Sequence, residues 1–141
     1  ALGRTQTAKL PAFLAARRAN YEALRGHVAA IKNVRVLDSQ SADAANSHYC
    51  LIAVLEGKLG AERNAIIGEL NAAGVGTSIY YPQPVPRMKY YRDKYGYDAN
   101  AFPVATQISD CSIALPVGPH LHVEQMARIA EVFAACAAKR L

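Results

Sequence analysis

The sequence lacks the features that would place it in a membrane or on an export route. Its 141 residues contain no apolar run long enough to cross a bilayer. The N-terminus carries Arg4 and Lys9, but no apolar block follows them, so no signal peptide is visible. The opening ALGRTQTAKL also contains no methionine. We therefore expect no membrane contact, a cytoplasmic location and a sequence that is part of a longer protein.

Cysteine is scarce, and its distribution argues against a disulfide framework. Cys50, Cys111 and Cys136 are odd in number, far apart and set among apolar residues. We expect them to be buried free thiols rather than disulfides or zinc ligands. His120 and His122 form an isolated H-x-H without acidic or cysteine partners at metal-ligand spacing, so we expect no metal site.

Recognisable catalytic motifs are also missing. No glycine-rich phosphate loop occurs, since the GVG at residues 74–76 is typical of a helix end. No Ser-His-Asp or Cys-His arrangement can be identified from spacing. Asp93, Asp98 and Asp110 are scattered in polar turns, which favours solvated turn residues over an acid/base pair. The residues alone therefore predict no catalytic group.

The net charge of +5 is the main electrostatic feature. Lys and Arg are spread over helix-like segments rather than concentrated in one run, and no nucleic-acid-binding motif accompanies them. Nucleic-acid binding through the basic residues is therefore only a third, weaker alternative. A solvated face, or a surface that meets an anionic ligand, remains as the explanation of the charge.

The length of 141 residues predicts one domain, and a chain of this length buries enough surface for a real core. Apolar residues at three- and four-residue steps predict a long N-terminal helix, in which Pro11 either causes a kink or starts a second helix. The last helix has an apolar stripe formed by Met126, Ile129, Val132, Phe133 and Cys136. Helices are predicted at 3–31, 61–73, 88–95, 103–110 and 122–138, and strands at 34–37, 48–55, 75–81 and 112–115.

These elements predict an α/β chain of the two-layer α+β sandwich type. The predicted sheet is small, mostly antiparallel and composed of three to four strands covered by helices. The apolar, β-branched run at residues 48–55 is the strongest strand prediction and is expected to be central. Between the first two strands, residues 38–47 consist of turn formers and predict a polar loop.

The most unusual stretch is residues 74–97, which contains six of the eight tyrosines. Pro82, Pro84 and Pro86 alternate in it, and because proline removes backbone donors they are expected to hold the chain extended as a stiff arm. Tyrosine hydroxyls and arginine beside rigid backbone suit a polar, anionic ligand or a partner surface. The alternative is that the tyrosine rings only cover a small core. The candidate binding residues are Tyr80, Tyr81, Pro82, Arg87, Tyr90 and Tyr91.

Three blocks of the chain carry a family resemblance. The first reads ALGRTQTAKLPAFLAARRANYEAL, the second GVGTSIYYPQPVPRMKYY and the third FPVATQISDCSIALPVGPHLHVEQMARIAEVF. In this order and spacing they resemble the A-x-G-x-x-Q-L-x-K-L helix, the G-I-x-T-x-x-H-Y-P-x-P-x-H arm and the F-P-x-A-E…S-L-P-x-x-P stretch of one family. That family is the DegT/DnrJ/StrS-type nucleotide-sugar aminotransferases, which bind pyridoxal phosphate (PLP) in the aspartate-aminotransferase fold. The blocks cover nearly the whole chain.

The resemblance implies that the chain is the C-terminal small domain, which closes over the active site. In the family the large domain carries the Schiff-base lysine, and no lysine here matches that context. By the same resemblance Tyr80 and Tyr81 face the substrate, with Arg87 and Tyr91 near it. The chain departs from the pattern in four places. Tyr80 and Pro86 stand where histidine is common, Thr7 where leucine is usual and Gln107 where glutamate is usual.

We therefore expect the substrate-side small domain of a PLP-dependent sugar aminotransferase that binds a nucleotide sugar but is inactive without the large domain. The chain alone is expected to hold neither a cofactor nor a metal. The alternative is a stand-alone binding or self-association module derived from such an enzyme. In that case Leu10, Phe13 and Leu14 would be exposed on the N-terminal helix and would favour a homodimer.

Overall fold

The computed structural model describes residues 2–38, 45–98 and 100–141. Most of the polar loop predicted at 38–47 lies outside these ranges. The helices and strands follow one another along the chain in an order close to the predicted one. They are α1 (Leu2–Val28), β1 (Val34–Leu37), β2 (Leu51–Leu55), α2 (Lys58–Ala61), α3 (Arg63–Ala72), a 3-10 turn (Val85–Arg87), α4 (Lys89–Tyr95), α5 (Pro103–Cys111), β3 (Ser112–Leu115) and α6 (Glu124–Ala138).

The sheet has three strands in the order β1-β2-β3, and both pairs are antiparallel. Val34 pairs with Leu55 at one end of β1, and Leu51 pairs with Leu115 across the second pair. The predicted central position of the second strand is thus confirmed, as is the class of a small antiparallel sheet covered by helices with a long N-terminal helix. Four of the five residues of β2 and all four of β3 are buried, which explains their continuous apolar sequence.

The core lies where the C-terminal half of α1, α3 and α6 meet around the sheet. α1 contributes Tyr21, Leu24 and Val28, and the predicted stripe of α6 is buried along its whole length. The core therefore consists of aliphatic side chains packed around the fully buried ring of Phe133. Its fully buried larger members are Phe133, Leu24, Leu51, Leu55, Leu59, Ile66, Leu70, Ile113, Leu115, Met126, Val28 and Val54.

The N-terminal half of α1 projects away from this core. Leu2 and Leu10 are 75% and 46% exposed, Phe13 is 38% exposed, and Leu14 is half-buried. The helix nevertheless runs unbroken through Pro11, so the alternative of a second helix starting there is wrong. Pro11 itself is exposed, where its ring meets no packed neighbour. At 27 residues the helix is roughly 40 Å long, of which only the last part is covered.

Two strand predictions need correction. The segment 75–81 is not a strand; only Ser78 pairs with the sheet, through two backbone hydrogen bonds to Ala114 at 3.1 and 2.8 Å. Of its apolar residues Val75 is buried in the core, and after Ser78 the chain leaves the sheet edge. The strand predicted from 48 begins only at Leu51, because His48 has a left-handed backbone with φ of 46° that interrupts an extended ladder.

Helix boundaries also differ in detail. The helix predicted at 61–73 corresponds to α3, which runs from Arg63 to Ala72, and the short helix α2 before it was not predicted. α1 ends at Val28 rather than residue 31, and α6 begins at Glu124 rather than residue 122. The end of α4 at a left-handed Gly96 is as predicted. These differences do not change which faces pack together.

The cysteines are free, as predicted, but only Cys136 is buried; Cys50 and Cys111 are half-buried. Across the described ranges no helix has the length and hydropathy needed to span a bilayer. Within the same ranges no group of three His, Cys, Asp or Glu side chains is arranged to hold a metal ion.

Candidate functional site

Tyr80 stands between two neighbouring hollows of the surface and lines both of them. It follows the last residue that pairs with the sheet edge, so the bridge at Ser78 fixes where the tyrosine leaves the sheet. Tyr80 is 38% exposed and Tyr81, beside it, is 70% exposed. Two of the predicted binding residues therefore lie at an open concave surface rather than in the core.

The first hollow has a volume of about 260 Å³ and is formed by four separate parts of the chain. α1 contributes Arg17, the approach to β2 contributes Tyr49, and the segment after α3 contributes Ser78 and Tyr80. The loop that follows β3 closes it with His120. Its walls thus combine a cation, hydroxyl groups and an imidazole, and none of the described lining residues is acidic.

Arg17 and the tyrosines of the first hollow contact one another. The guanidinium carbon of Arg17 lies 5.6 Å from the centre of the Tyr49 ring, and the rings of Tyr49 and Tyr80 meet edge to face at 5.9 Å. Hydrogen bonding with the Tyr80 side chain raises the pKa of Tyr49 above its ordinary value. The raised pKa thus reflects a hydroxyl that is engaged with Tyr80 in its neutral form.

Asn20 holds the loop that carries His120. Its side chain is 1% exposed, and its amide nitrogen donates to the carbonyl oxygens of Gly118 at 3.1 Å and Leu121 at 3.0 Å. The His120 ring packs against Gly118, since a Cβ built there would lie 2.5 Å from the ring. The backbone of the loop that carries His120 is therefore tied to α1, the helix of Arg17, through one buried amide.

The second hollow is larger, about 540 Å³, and mostly apolar. Tyr80 and Tyr81 form one wall, Pro84 and Val85 of the proline arm another, and Ile108 of α5 the floor. Its lining residues are Tyr80, Tyr81, Gln83, Pro84, Val85, Pro86, Met88, Ala105, Ile108 and Ser109. Pro82, which was predicted as a binding residue, is exposed beside this hollow without lining it.

Polar contacts to α5 hold the arm in place. The Ser109 hydroxyl donates to the backbone oxygen of Tyr81 at 3.1 Å, and Arg63 donates to the Ser109 carbonyl at 2.6 Å. Arg87 pairs with Asp110 at 2.7 Å, with both side chains partly exposed. Arg87 thus positions the arm and is not directed into either hollow, whose linings do not include it.

Tyr90 and Tyr91 form a different surface. On α4 and the segment after it, a chain of ring contacts 5.2–6.2 Å long joins them to Tyr95, Tyr97 and Phe102. All five rings are at least 36% exposed. Neither Tyr90 nor Tyr91 lines the two hollows, so the structure separates the six predicted residues into a group at the hollows and a group on α4.

The sequence analysis missed Arg17, Asn20, Tyr49 and His120 as site residues. Arg17 and Asn20 lie about one turn apart on α1, whereas Tyr49 and His120 come from distant parts of the chain and are brought to them by folding. Cys50 also lines the first hollow, but burial raises the pKa of its thiol, which disfavours the reactive thiolate. The H-x-H motif that contains His120 was considered only as a metal site, and no partner residues at metal-ligand spacing accompany it.

Comparisons with known proteins agree on one family. A family model described as the DegT/DnrJ/EryC1/StrS aminotransferase family matches residues 1–134. A solved structure titled "Putative sugar aminotransferase Spr1654 from Streptococcus pneumoniae, PMP-form" superimposes with a TM-score of 0.86 and 28% identity, covering 99% of this chain and 34% of that protein. Its PLP form gives the same TM-score and identity.

Two curated relatives match shorter stretches. The erythromycin biosynthesis sensory transduction protein EryC1 of Saccharopolyspora erythraea is 40% identical over 62 residues, which is 44% of this chain and 17% of that protein. The UDP-N-acetyl-3-dehydro-alpha-D-glucosamine 3-aminotransferase of Acidithiobacillus ferrooxidans is 36% identical over 70 residues, 50% of this chain and 18% of that enzyme. The chain thus spans about a third of the length of its structural relatives, and the curated matches cover less than a fifth of theirs. On the evidence of the family model and the fold together, the chain belongs to the DegT/DnrJ/EryC1/StrS aminotransferase family.

Proposed function

We propose that this chain serves as the substrate-side small domain of a PLP-dependent sugar aminotransferase. The observation that carries the proposal is the superposition of almost the entire chain on one third of the Streptococcus pneumoniae sugar aminotransferase. A domain of that size and position supplies binding contacts and closure, while another part of the enzyme supplies the cofactor's anchor. The two hollows around Tyr80 are the surface through which it contacts the substrate.

The residues of this chain do not fit the covalent attachment of PLP. That attachment requires a lysine in the site, and every lysine from Lys9 to Lys139 is exposed and lies outside both hollow linings. We therefore assign the chain no step of the cofactor chemistry. The 141-residue chain is expected to show neither PLP absorbance nor transamination; a stable lysine-bound PLP spectrum from it would refute this assignment.

A nucleotide sugar is the proposed ligand. One curated relative is named for a UDP-linked sugar, and a structural relative, DesI, is described in the presence of its TDP-sugar product. The contrast between the hollows supports such a ligand, since one is lined by Arg17 and His120 and the other by Tyr81 and prolines of the arm. Molecules that carry both anionic and ring portions suit this combination.

A chimaera tests the function. The chain would replace the matching third of the Streptococcus pneumoniae protein, and conversion of the PLP form to the PMP form by an amino donor would be followed spectroscopically. We expect the chimaera to retain the conversion, and to lose at least about tenfold in rate constant when Tyr80→Ala is introduced. Tyr95→Ala, on the α4 surface, is the matched control. A folded chimaera that binds PLP without converting it would contradict the proposal.

A second candidate function, self-association through α1, is favoured by one observation. Leu10 and Phe13 are exposed on the uncovered half of the helix and would be covered in a homodimer. In that case the chain sediments or scatters light as a dimer, and Phe13→Glu returns it to a monomer while Arg18→Glu, on the same helix, does not. A clean monomer at all concentrations would exclude this candidate.

A further inference from the structure

We propose that the first hollow, lined by Arg17, Tyr49, Ser78, Tyr80 and His120, is an anion subsite that takes a carboxylate or phosphate group. The inference rests on the proposed function for the identity of the ligand, but the chemistry of the subsite follows from its walls. It names the part of the site that recognises charge, which neither the family match nor the relatives' names assign to residues.

The first step of the argument is the state of Arg17. The residue is half-buried, and its Nε atom is buried without a hydrogen-bond acceptor. Among residues 2–38, 45–98 and 100–141, no carboxylate forms an ion pair with it. A partly desolvated guanidinium without a counter-charge is costly, and an incoming anion would relieve that cost.

The second step is the composition of the hollow. Among the residues that the structure describes, the lining contains no Asp or Glu that would repel an anion. The hydroxyl groups of Tyr49, Ser78 and Tyr80 are additional donors, and the charge-assisted hydrogen bonds of a guanidinium are the strong ones in such a site. Arg87 of the proline arm, by contrast, lines neither hollow and is already paired with Asp110.

The third step is size and rigidity. At about 260 Å³ the first hollow is smaller than pockets that enclose a drug-sized ligand, so it suits one anionic group rather than a whole nucleotide sugar. Asn20 fixes the loop of His120 against the helix of Arg17, which reduces the ordering that binding would require. The remainder of a larger ligand would extend past Tyr80 into the apolar hollow.

Calorimetric titration of the 141-residue chain tests the subsite with two probes. Inorganic pyrophosphate represents the phosphate source and L-glutamate the carboxylate source, each at physiological ionic strength. We expect one of them to bind, with the affinity reduced at least about tenfold by Arg17→Gln and changed less than about twofold by Arg18→Gln. The neighbouring Arg18 is exposed and outside the hollow, so it is the matched control for net charge.

A second pair of variants keeps the test valid if Arg17→Gln fails to fold. His120→Ala should weaken the same probe by about threefold or more, while His122→Ala, two residues further along the chain and outside the hollow, should not. Binding of neither probe, or equal losses in the members of each pair, overturns the subsite. If the chimaera is active and the anions do not bind, the subsite alone is wrong; if the anions bind at Arg17 and the chimaera is inactive, the function is wrong and the subsite stands.

Discussion

The core and the proline arm use aromatic and apolar residues in opposite ways. In the core, Phe133 is fully buried and Tyr21 is 3% exposed, so their rings contribute stability through the area they remove from water. In the arm and α4 no residue of the 3-10 turn or the helix is buried, and Tyr90 is 63% exposed. The arm is held by a few polar contacts to α5 instead. The comparison shows that residues of the arm and of the second hollow can be substituted without a large loss of fold stability.

The largest expected effect is the loss of a core ring. Phe133→Ala removes a fully buried side chain and leaves a cavity among α1, α3 and the sheet, which should lower the free energy of unfolding by about 3–5 kcal/mol. Urea denaturation followed by circular dichroism measures this. Tyr90→Ala is the control in the arm, with an expected change within about 0.5 kcal/mol. Similar losses in both variants would abolish the distinction between the two regions.

The next effect concerns Asn20, which belongs to the core but serves the first hollow. Asn20→Leu leaves the carbonyl oxygens of Gly118 and Leu121 without their donor and should cost about 1–3 kcal/mol. Hydrogen exchange should accelerate in residues 118–121 more than in β2. Asn71→Leu, at an exposed amide that accepts from Thr77, is the control. Uniform acceleration across the chain would show that the residue has no special connection to the loop.

A pH-dependent effect is expected where α6 meets α3. Hydrogen bonds from Arg140, and then from Lys139, lower the pKa of Glu69 from its ordinary 4.5 to about 2. Because the folded-state pKa is depressed, the stabilisation is present above pH 4.5 and is lost as the pH falls toward 2. Denaturation curves of the wild type and Glu69→Gln should therefore differ at pH 7 and converge through this interval. Glu124→Gln, in the first turn of α6 at the other end of that helix, is the control for the loss of a carboxylate.

The smallest effect is expected at the attachment of the arm. Arg87→Ala removes a partly exposed ion pair with Asp110 and should change the free energy of unfolding by only about 0.2–1 kcal/mol. The arm itself should become more susceptible to proteolysis, because few other contacts hold it. A double-mutant cycle with Asp110→Asn measures the pair, with Lys89→Ala as the control. A loss as large as that of Phe133→Ala would mean that the arm belongs to the core after all.

The fold was predictable from sequence where the pattern is local and the burial strong. The stripe of α6 and the apolar run of β2 were identified because the spacing of apolar residues within each segment indicates which of them are buried. The segment 75–81 was misread because its residue types suit a strand while its partner strand offers only one bridge, at Ser78. The residues of a segment do not determine how many of them form hydrogen bonds to a neighbouring strand, because this number depends on the path of that strand.

The candidate site was predictable only in part for the same reason. Tyr80 and Tyr81 were recognised from the composition of the arm and from the family resemblance. Arg17 and Tyr49 were not recognised, because they become site residues only through the contact between α1 and the segment before β2. Arg87 was selected for its charge, and only the structure shows that Asp110 already neutralises it.

The continuity of α1 has a mechanical consequence. Phe13, on the exposed half, lies one helical turn before Arg17, and Asn20 follows within the next turn. Because no break separates these residues, a displacement of the uncovered half of α1 would also displace the Arg17 guanidinium and, through the hydrogen bonds of Asn20, the loop after β3.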